Sequence, residues 1–130
     1  MSDKKILIVD DELPILGLLE QTFSRAGYRV SAARNGKDAL ALLQNEKIHV
    51  MFFDLNMPEM NGIELCRNVK KNVPLSIIYA VTGYASLFEL TDCREVGFED
   101  YFKKPVDLKT LVKAADDAFM KLERWKKIKK

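Results

Sequence analysis

The chain has 130 residues, of which 48% are hydrophobic and 31% charged, with six Gly and four Pro. This length and composition are those of one globular domain, and they exclude a disordered or fibrous chain. Because no apolar run in the sequence reaches the length of a signal-peptide core or a membrane span, we expect a cytoplasmic protein.

The formal net charge of +2 is divided unevenly along the chain. From Lys121 onward there are six Lys or Arg residues and one Glu, so this segment carries +5 and the rest of the chain about −3. We therefore predict a domain over residues 1–120 and a basic extension of its last helix over residues 121–130. Cys66 and Cys93 lack CxxC spacing, and His49 is the one histidine, so we expect buried thiols and no zinc site or disulfide.

Five segments have strand character, and longer stretches separate them. Several of the five are continuous apolar runs, which is typical of a parallel sheet covered on both faces. Alternation with helices predicts βαβ units. In chain order the predicted strands are KILIV at 5–9, RVSAA at 29–33, VMFF at 50–53, LSIIYAV at 75–81 and DYFKK at 100–104.

Apolar residues at helical spacing predict a helix after each strand. We therefore predict an α/β fold, a doubly wound sheet of five parallel strands flanked by five helices. The last helix begins after Pro105, with Asp107 as its N-cap. The first four helices are marked by Ile15, Leu19, Phe23 and Ala26 before Gly27; by Ala39, Leu40 and Leu43 before Asn45; by Ile63, Cys66 and Val69 after Asn61 and Gly62; and by Leu87, Leu90 and Cys93 before Gly97.

Polar residues end the strands at the edge where such sheets bind ligands. They are Asp10, Asp11, Asp54, Thr82 and Lys104. Three neighbouring carboxylates repel one another, and a hard divalent cation such as Mg²⁺ relieves that repulsion. An aspartate beside a metal can act as a nucleophile toward phosphorus, while a lysine and a hydroxyl stabilise the phosphoryl group.

Four motifs, VDDE, FFDLNMPEMNG, VTGYA and DYFKKP, resemble in order and spacing those of receiver domains of two-component response regulators. The resemblance extends from about Lys4 to about Phe119. It implies the flavodoxin-like strand order 2-1-3-4-5 and a phosphoprotein that acts in signal transduction. The implied phosphoryl donor is a sensor histidine kinase, a histidine phosphotransfer protein of a phosphorelay, or a small donor such as acetyl phosphate. Such a domain is a switch that catalyses its own phosphorylation and dephosphorylation, and it is not a turnover enzyme.

The same resemblance implies the roles of the acidic residues. Asp54 would be the phosphoacceptor. Asp11 and Asp54, with the backbone carbonyl of Asn56, would hold Mg²⁺, with Mn²⁺ as a substitute. Asp10 would act through a metal-bound water.

Further residues have implied roles in phosphoryl binding and switching. Thr82 and Lys104 would bind the phosphoryl oxygens, and Thr82 would couple to Tyr101 to remodel the surface of the fourth helix, fifth strand and fifth helix. The Lys104–Pro105 peptide bond would be cis. Asn56 and Tyr84 occupy the positions that tune phosphoryl lifetime, and a bulky Tyr84 would shield the acyl phosphate, so we expect a lifetime of minutes or longer.

Three other functions fit the sequence less well. A flavodoxin needs Gly, Ser and Thr around FMN phosphate after the first strand, where this chain has DDELP. A haloacid-dehalogenase phosphatase needs a second Asp where Asn56 stands. A degenerate receiver serving only for binding would lack an acceptor, acid or lysine.

Taken singly, the candidate site residues have simpler explanations. Asp10 and Asp11 could be helix-start acids, Thr82 a turn residue, Lys104 a solvated surface lysine and Tyr101 a packing residue. Their joint placement at one edge of the sheet, in the order of the receiver motifs, argues against these explanations.

The last helix has an apolar seam at heptad spacing that continues past Phe119. For residues up to Phe119, packing on the sheet is the simpler explanation. Beyond it, the helix would either be a signalling linker, leading to an output domain or pairing two chains in a homodimer, or bind an acidic partner through its basic face. We expect no direct nucleic-acid binding and no membrane binding. The seam consists of Leu108, Leu111, Ala115, Ala118, Leu122 and Trp125.

Overall fold

The computed structural model describes residues 4–128, in which five strands alternate with five helices. The elements are β1 (Lys5–Val9), α1 (Leu13–Arg25), β2 (Arg29–Ala33), α2 (Gly36–Asn45), β3 (Val50–Phe53), α3 (Gly62–Asn72), β4 (Ile77–Thr82), α4 (Leu87–Val96), β5 (Phe98–Lys103) and α5 (Leu108–Ile128).

All five strands form one parallel sheet in the order β2-β1-β3-β4-β5. This confirms the predicted fold class and the strand order implied by the resemblance. In the register of the sheet, Val9 is paired with Phe53, and Phe53 with Ala80. Residues that follow β1 and β3 therefore emerge side by side at the carboxyl edge, with the end of β4 next to them.

The central strands are buried on both faces, as their continuous apolar sequences predict. On one face Leu7 and Phe53 pack under α2, α3 and α4, and on the other Phe52 and Tyr79 pack under α1 and α5. Both cysteines are free and buried, as expected, and burial raises the pKa of the Cys66 thiol to about 12.

The bounds of β1, β2 and β3 match the prediction, whereas β4 and β5 are shifted. β4 begins at Ile77 because Leu75 is exposed and the backbone N–H of Ser76 closes a turn onto Val73. β5 begins at Phe98, directly after the left-handed Gly97 that ends α4. Phe98 is buried against the edge of the Phe53 ring, and this contact extends the strand toward its start.

Helix α4 packs less of its surface than its apolar residues predict. Its first residue, Leu87, is 77% exposed, so this apolar residue belongs to the predicted helix but not to the core. Cys93, two turns further on, is buried. The helix is held at its start by a capping box, in which Ser86 and Glu89 exchange side-chain-to-backbone hydrogen bonds.

Helix α5 begins as predicted, because the Asp107 side chain accepts the backbone N–H of Lys109. The buried or partly buried seam residues pack against the sheet as far as Leu122, so this part of the seam is core face. Trp125 remains 48% exposed. The homodimer and the acidic partner stay predictions, and residues 129–130 of the extension lie outside the described residues. Each helix within residues 4–128 is either too short or too polar to span a lipid bilayer.

Candidate functional site

Three carboxylates meet at the carboxyl edge of the sheet. Asp10 follows β1 and Asp54 follows β3, and both side chains are almost fully buried. The third is Glu12, at the N-cap of α1. One carboxylate oxygen from each of the three lies within 4.8 Å of the others. Asp11 is exposed and lies outside this group, although its charge contributes to the environment of Asp54.

The ammonium of Lys104 lies among these carboxylates. Its Nζ is 2.8 Å from Glu12 Oε1, 2.9 Å from Asp10 Oδ2 and 3.8 Å from Asp54 Oδ2. The backbone N–H of Lys104 donates to the carbonyl of Thr82, which holds the residue at the end of the sheet. The Lys104–Pro105 peptide bond is cis, the geometry that the resemblance implies.

The charges at this site alter two pKa values. The pKa of Asp54 is raised to about 7, chiefly by burial and next by the charge of Asp10, although Lys104 and the backbone N–H of Asn56 act in the opposite direction. Burial lowers the pKa of Lys104, but its hydrogen bonds to Glu12 and Asp10 and the charge of Asp54 outweigh that effect, so the net pKa is raised. Because one ammonium faces three carboxylates, the donor set fits an additional hard divalent cation.

A hydrogen-bond network links the loops after β3 and β4. The amide of Asn56 donates to Thr82 Oγ1 at 3.1 Å and to the carbonyl of Tyr84 at 3.0 Å. The Thr82 hydroxyl, itself buried, donates to the same carbonyl at 2.9 Å. The Thr82 hydroxyl therefore donates to the backbone carbonyl of Tyr84 and not to the carboxylate of Asp54.

The aromatic side chains near this network point to solvent. Tyr84 is 72% exposed and Tyr101 is 46% exposed. Tyr101 lies opposite Ala80 in the β4–β5 pair, and Ala80 is two residues before Thr82, the last residue of β4. The structure therefore combines a Thr82 hydroxyl bonded away from Asp54 with an outward Tyr101 ring.

Gly62, which precedes the apolar residues of the third predicted helix, has a steric reason to be glycine. Its φ is not positive; the residue with positive φ in this loop is Glu59, at 68°. A Cβ on Gly62 would lie 2.3 Å from the carbonyl oxygen of Asp54. Its backbone N–H also donates to Leu55. Glycine is needed because the start of α3 passes directly over the backbone that carries Asp54.

The structure brings together Asp10, Asp54 and Lys104, with Thr82 next to them. The residue that sequence reasoning missed is Glu12. The sequence feature that could have indicated Glu12 is its position as the third acid of VDDE, next to Asp10 and Asp11.

Comparison with known proteins agrees with this arrangement. A model of the response regulator receiver domain matches residues 6–116. Over 101 residues the chain is 37% identical to the uncharacterized transcriptional regulatory protein YrkP of Bacillus subtilis; the match covers 78% of this chain, but only 43% of the length of that relative.

Solved structures give the same result. A CheY-like response regulator receiver domain protein from Methanospirillum hungatei superimposes with a TM-score of 0.91 at 34% identity, covering 95% of this chain and 98% of the other. Chemotaxis protein CheY4 of Vibrio cholerae superimposes with a TM-score of 0.85 at 30% identity, covering 90% and 99%. With its sheet order and the acidic group around a lysine, the chain belongs to the family of response regulator receiver domains of two-component signalling.

Proposed function

We propose that Asp54 is the phosphoacceptor of this receiver domain, and that the donor is the phosphohistidine of a sensor histidine kinase or a histidine phosphotransfer protein. The observation that carries the proposal is the position of Asp54, which directly follows the central strand β3, beside Asp10 and within 3.8 Å of the Lys104 ammonium. A carboxylate oxygen of Asp54 attacks phosphorus, and the bond from phosphorus to the imidazole nitrogen breaks, leaving its electron pair on that nitrogen.

A divalent cation, Mg²⁺ or Mn²⁺, would be held by Asp11, Asp54 and the backbone carbonyl of Asn56, and Asp10 would act through a metal-bound water. When bound, the cation neutralises charge on the transferring phosphoryl oxygens. Burial of Asp10 and Asp54 supports the proposal, because two buried carboxylates with one lysine are poorly compensated. Asp11 is exposed, and its charge already acts on Asp54, which supports its part in holding such an ion.

Phosphorylation would change the partners of Lys104 and Thr82. Lys104 would shift from the carboxylates to a phosphoryl oxygen, and the Thr82 hydroxyl would leave the carbonyl of Tyr84 and donate to another. The Tyr101 ring would then turn inward from its exposed position. This local change would alter the α4–β5–α5 surface and so act as the signal output.

Intact-mass measurement after incubation with acetyl phosphate and Mg²⁺ tests the proposal. We expect the wild-type chain to gain the mass of one phosphoryl group and the Asp54→Asn variant to gain none, because the amide is not a nucleophile toward phosphorus. The matched control is Asp92→Asn, the same change at an exposed position on α4, which keeps the adduct. An adduct on Asp54→Asn, or none on wild type, overturns the assignment.

The exposed Tyr84 ring gives a prediction about phosphoryl lifetime. Tyr84→Ala is expected to shorten the lifetime several-fold from the minutes or longer expected of wild type, because a bulky ring at this position limits the approach of water. The network through the backbone carbonyl of Tyr84 does not need the side chain. Loss of the adduct after removal of acetyl phosphate measures the rate. Tyr84→Phe keeps the ring and should decay like wild type; equal decay of all three chains would contradict shielding.

A further inference from the structure

The ammonium of Lys104 lies closer to Glu12 than to the proposed phosphoacceptor. The distance from Nζ to Glu12 Oε1 is 2.8 Å, and the distance to Asp54 Oδ2 is 3.8 Å. Since β1 and β5 are separated by β3 and β4 in the sheet, this ion pair spans the whole edge that carries the site. Lys104 is therefore drawn toward the β1 side.

The backbone around Glu12 explains why its side chain is available for this contact. Glu12 is the N-cap residue of α1, but its side chain makes no capping hydrogen bond to that helix. Its own backbone N–H donates to Asp10 Oδ1 at 2.9 Å, which fixes the turn between β1 and α1. The carboxylate of Glu12 is thereby aimed at the lysine and not at the helix start.

Burial separates Glu12 from the other partners of Lys104. The Glu12 side chain is 60% exposed, whereas those of Asp10 and Asp54 are 2% and 4% exposed. If Glu12 lost its charge, water would take the place of its carboxylate beside Lys104, and Asp10 would still hold the ammonium at 2.9 Å. Glu12 is thus not needed to keep the lysine in the site, but it competes for the ammonium that a phosphoryl group on Asp54 requires.

We propose that Glu12 is a positioning residue that adds to the hold of Asp10 on Lys104 at the β1 side and thereby lowers the occupancy of the phosphorylated state. The inference rests on the proposed function of Asp54. A phosphoryl group must draw Lys104 away from an established ion pair, so the pair opposes phosphorylation. Because one partner is largely exposed, the effect is modest, and we expect about a two- to five-fold difference in affinity.

Calorimetric titration with beryllofluoride, a phosphoryl analogue, in saturating Mg²⁺ tests the inference on the full chain. Glu12→Gln removes the charge, and we expect it to bind beryllofluoride about two- to five-fold more tightly than wild type. Glu12→Asp keeps the charge but is one methylene shorter and does not reach Lys104, so it should behave like Glu12→Gln if the ion pair matters. The matched control is Glu20→Gln, an exposed change elsewhere on α1 that should bind like wild type.

Titration with Mg²⁺ alone separates this role from metal binding. We expect the Mg²⁺ affinity of Glu12→Asp to stay within about two-fold of wild type, because the proposed role acts through Lys104. A loss of tenfold or more would make Glu12 a metal ligand and overturn the inference. Equal beryllofluoride affinities of wild type and Glu12→Gln would also overturn it, as would a Glu12→Asp variant that binds like wild type, since charge alone would then explain the effect. A wild-type chain that binds no beryllofluoride would overturn the proposed function as well.

Discussion

Replacing Gly62 with alanine is expected to destabilise the domain by about 3 kcal/mol, because the new methyl group has no space. Its Cβ would lie 2.3 Å from the carbonyl oxygen of Asp54 and 3.0 Å from the Cα of Leu55. Both contacts are with backbone, so no side-chain rotation relieves them. The loop carrying Asp54 must move away from α3, and we expect phosphorylation by acetyl phosphate to fall with stability.

Urea unfolding measures this effect, and Gly17→Ala supplies the control. Gly17 lies inside α1, and a methyl group added there would meet nothing within 4 Å, so alanine should stabilise the chain by about 0.5–1 kcal/mol through helix propensity. Gly62 is also a helical residue, the first of α3, so propensity alone predicts the same sign at both sites. A Gly62→Ala variant as stable as wild type would show that the loop adapts without cost.

The fold was predictable because its sequence signals are local. The apolar runs of β1 and β3 end directly before charged residues, and the bounds predicted for both strands are the observed ones. The signals weaken where a contact with another element decides the outcome. Phe98 joins β5 through its contact with Phe53, and Leu87 stays exposed although its spacing suits a buried position.

The sequence predicts most of the residues that form the site, but it does not predict which of them contact one another. Strand order places the residues at one edge, but VDDE offers three acids of the same chemical kind. Only the turn fixed by Asp10 decides that Glu12 reaches Lys104 while Asp11 faces solvent. Such choices depend on backbone directions over a few residues, and a motif does not record them.

Asp54→Asn is expected to stabilise the cation-free domain at pH 8 by about 2 to 4 kcal/mol, because the wild-type carboxylate is charged there in a poorly solvated position. The pKa of Asp54 is raised from 3.8 to about 7, chiefly by burial. Well below pH 3.8 the folded and unfolded chains both bind the proton, and this group has no effect. As pH rises from 4 to 7 the unfolded chain releases the proton while the folded chain keeps it, so stability falls, and above pH 7 the loss is complete.

Urea unfolding of both chains between pH 4 and 8 in the presence of a chelator tests this sign. The advantage of Asp54→Asn should be near zero at pH 4 and largest at pH 8, whereas the control Asp92→Asn should follow wild type. Mg²⁺ should reverse the order at pH 8, since a cation that binds the folded state stabilises it and needs the ionised Asp54. Parallel pH profiles for wild type and Asp54→Asn would contradict the prediction. They would show that Lys104 already compensates the charge of Asp54, so that Mg²⁺ binding relieves no charge repulsion at the acidic site.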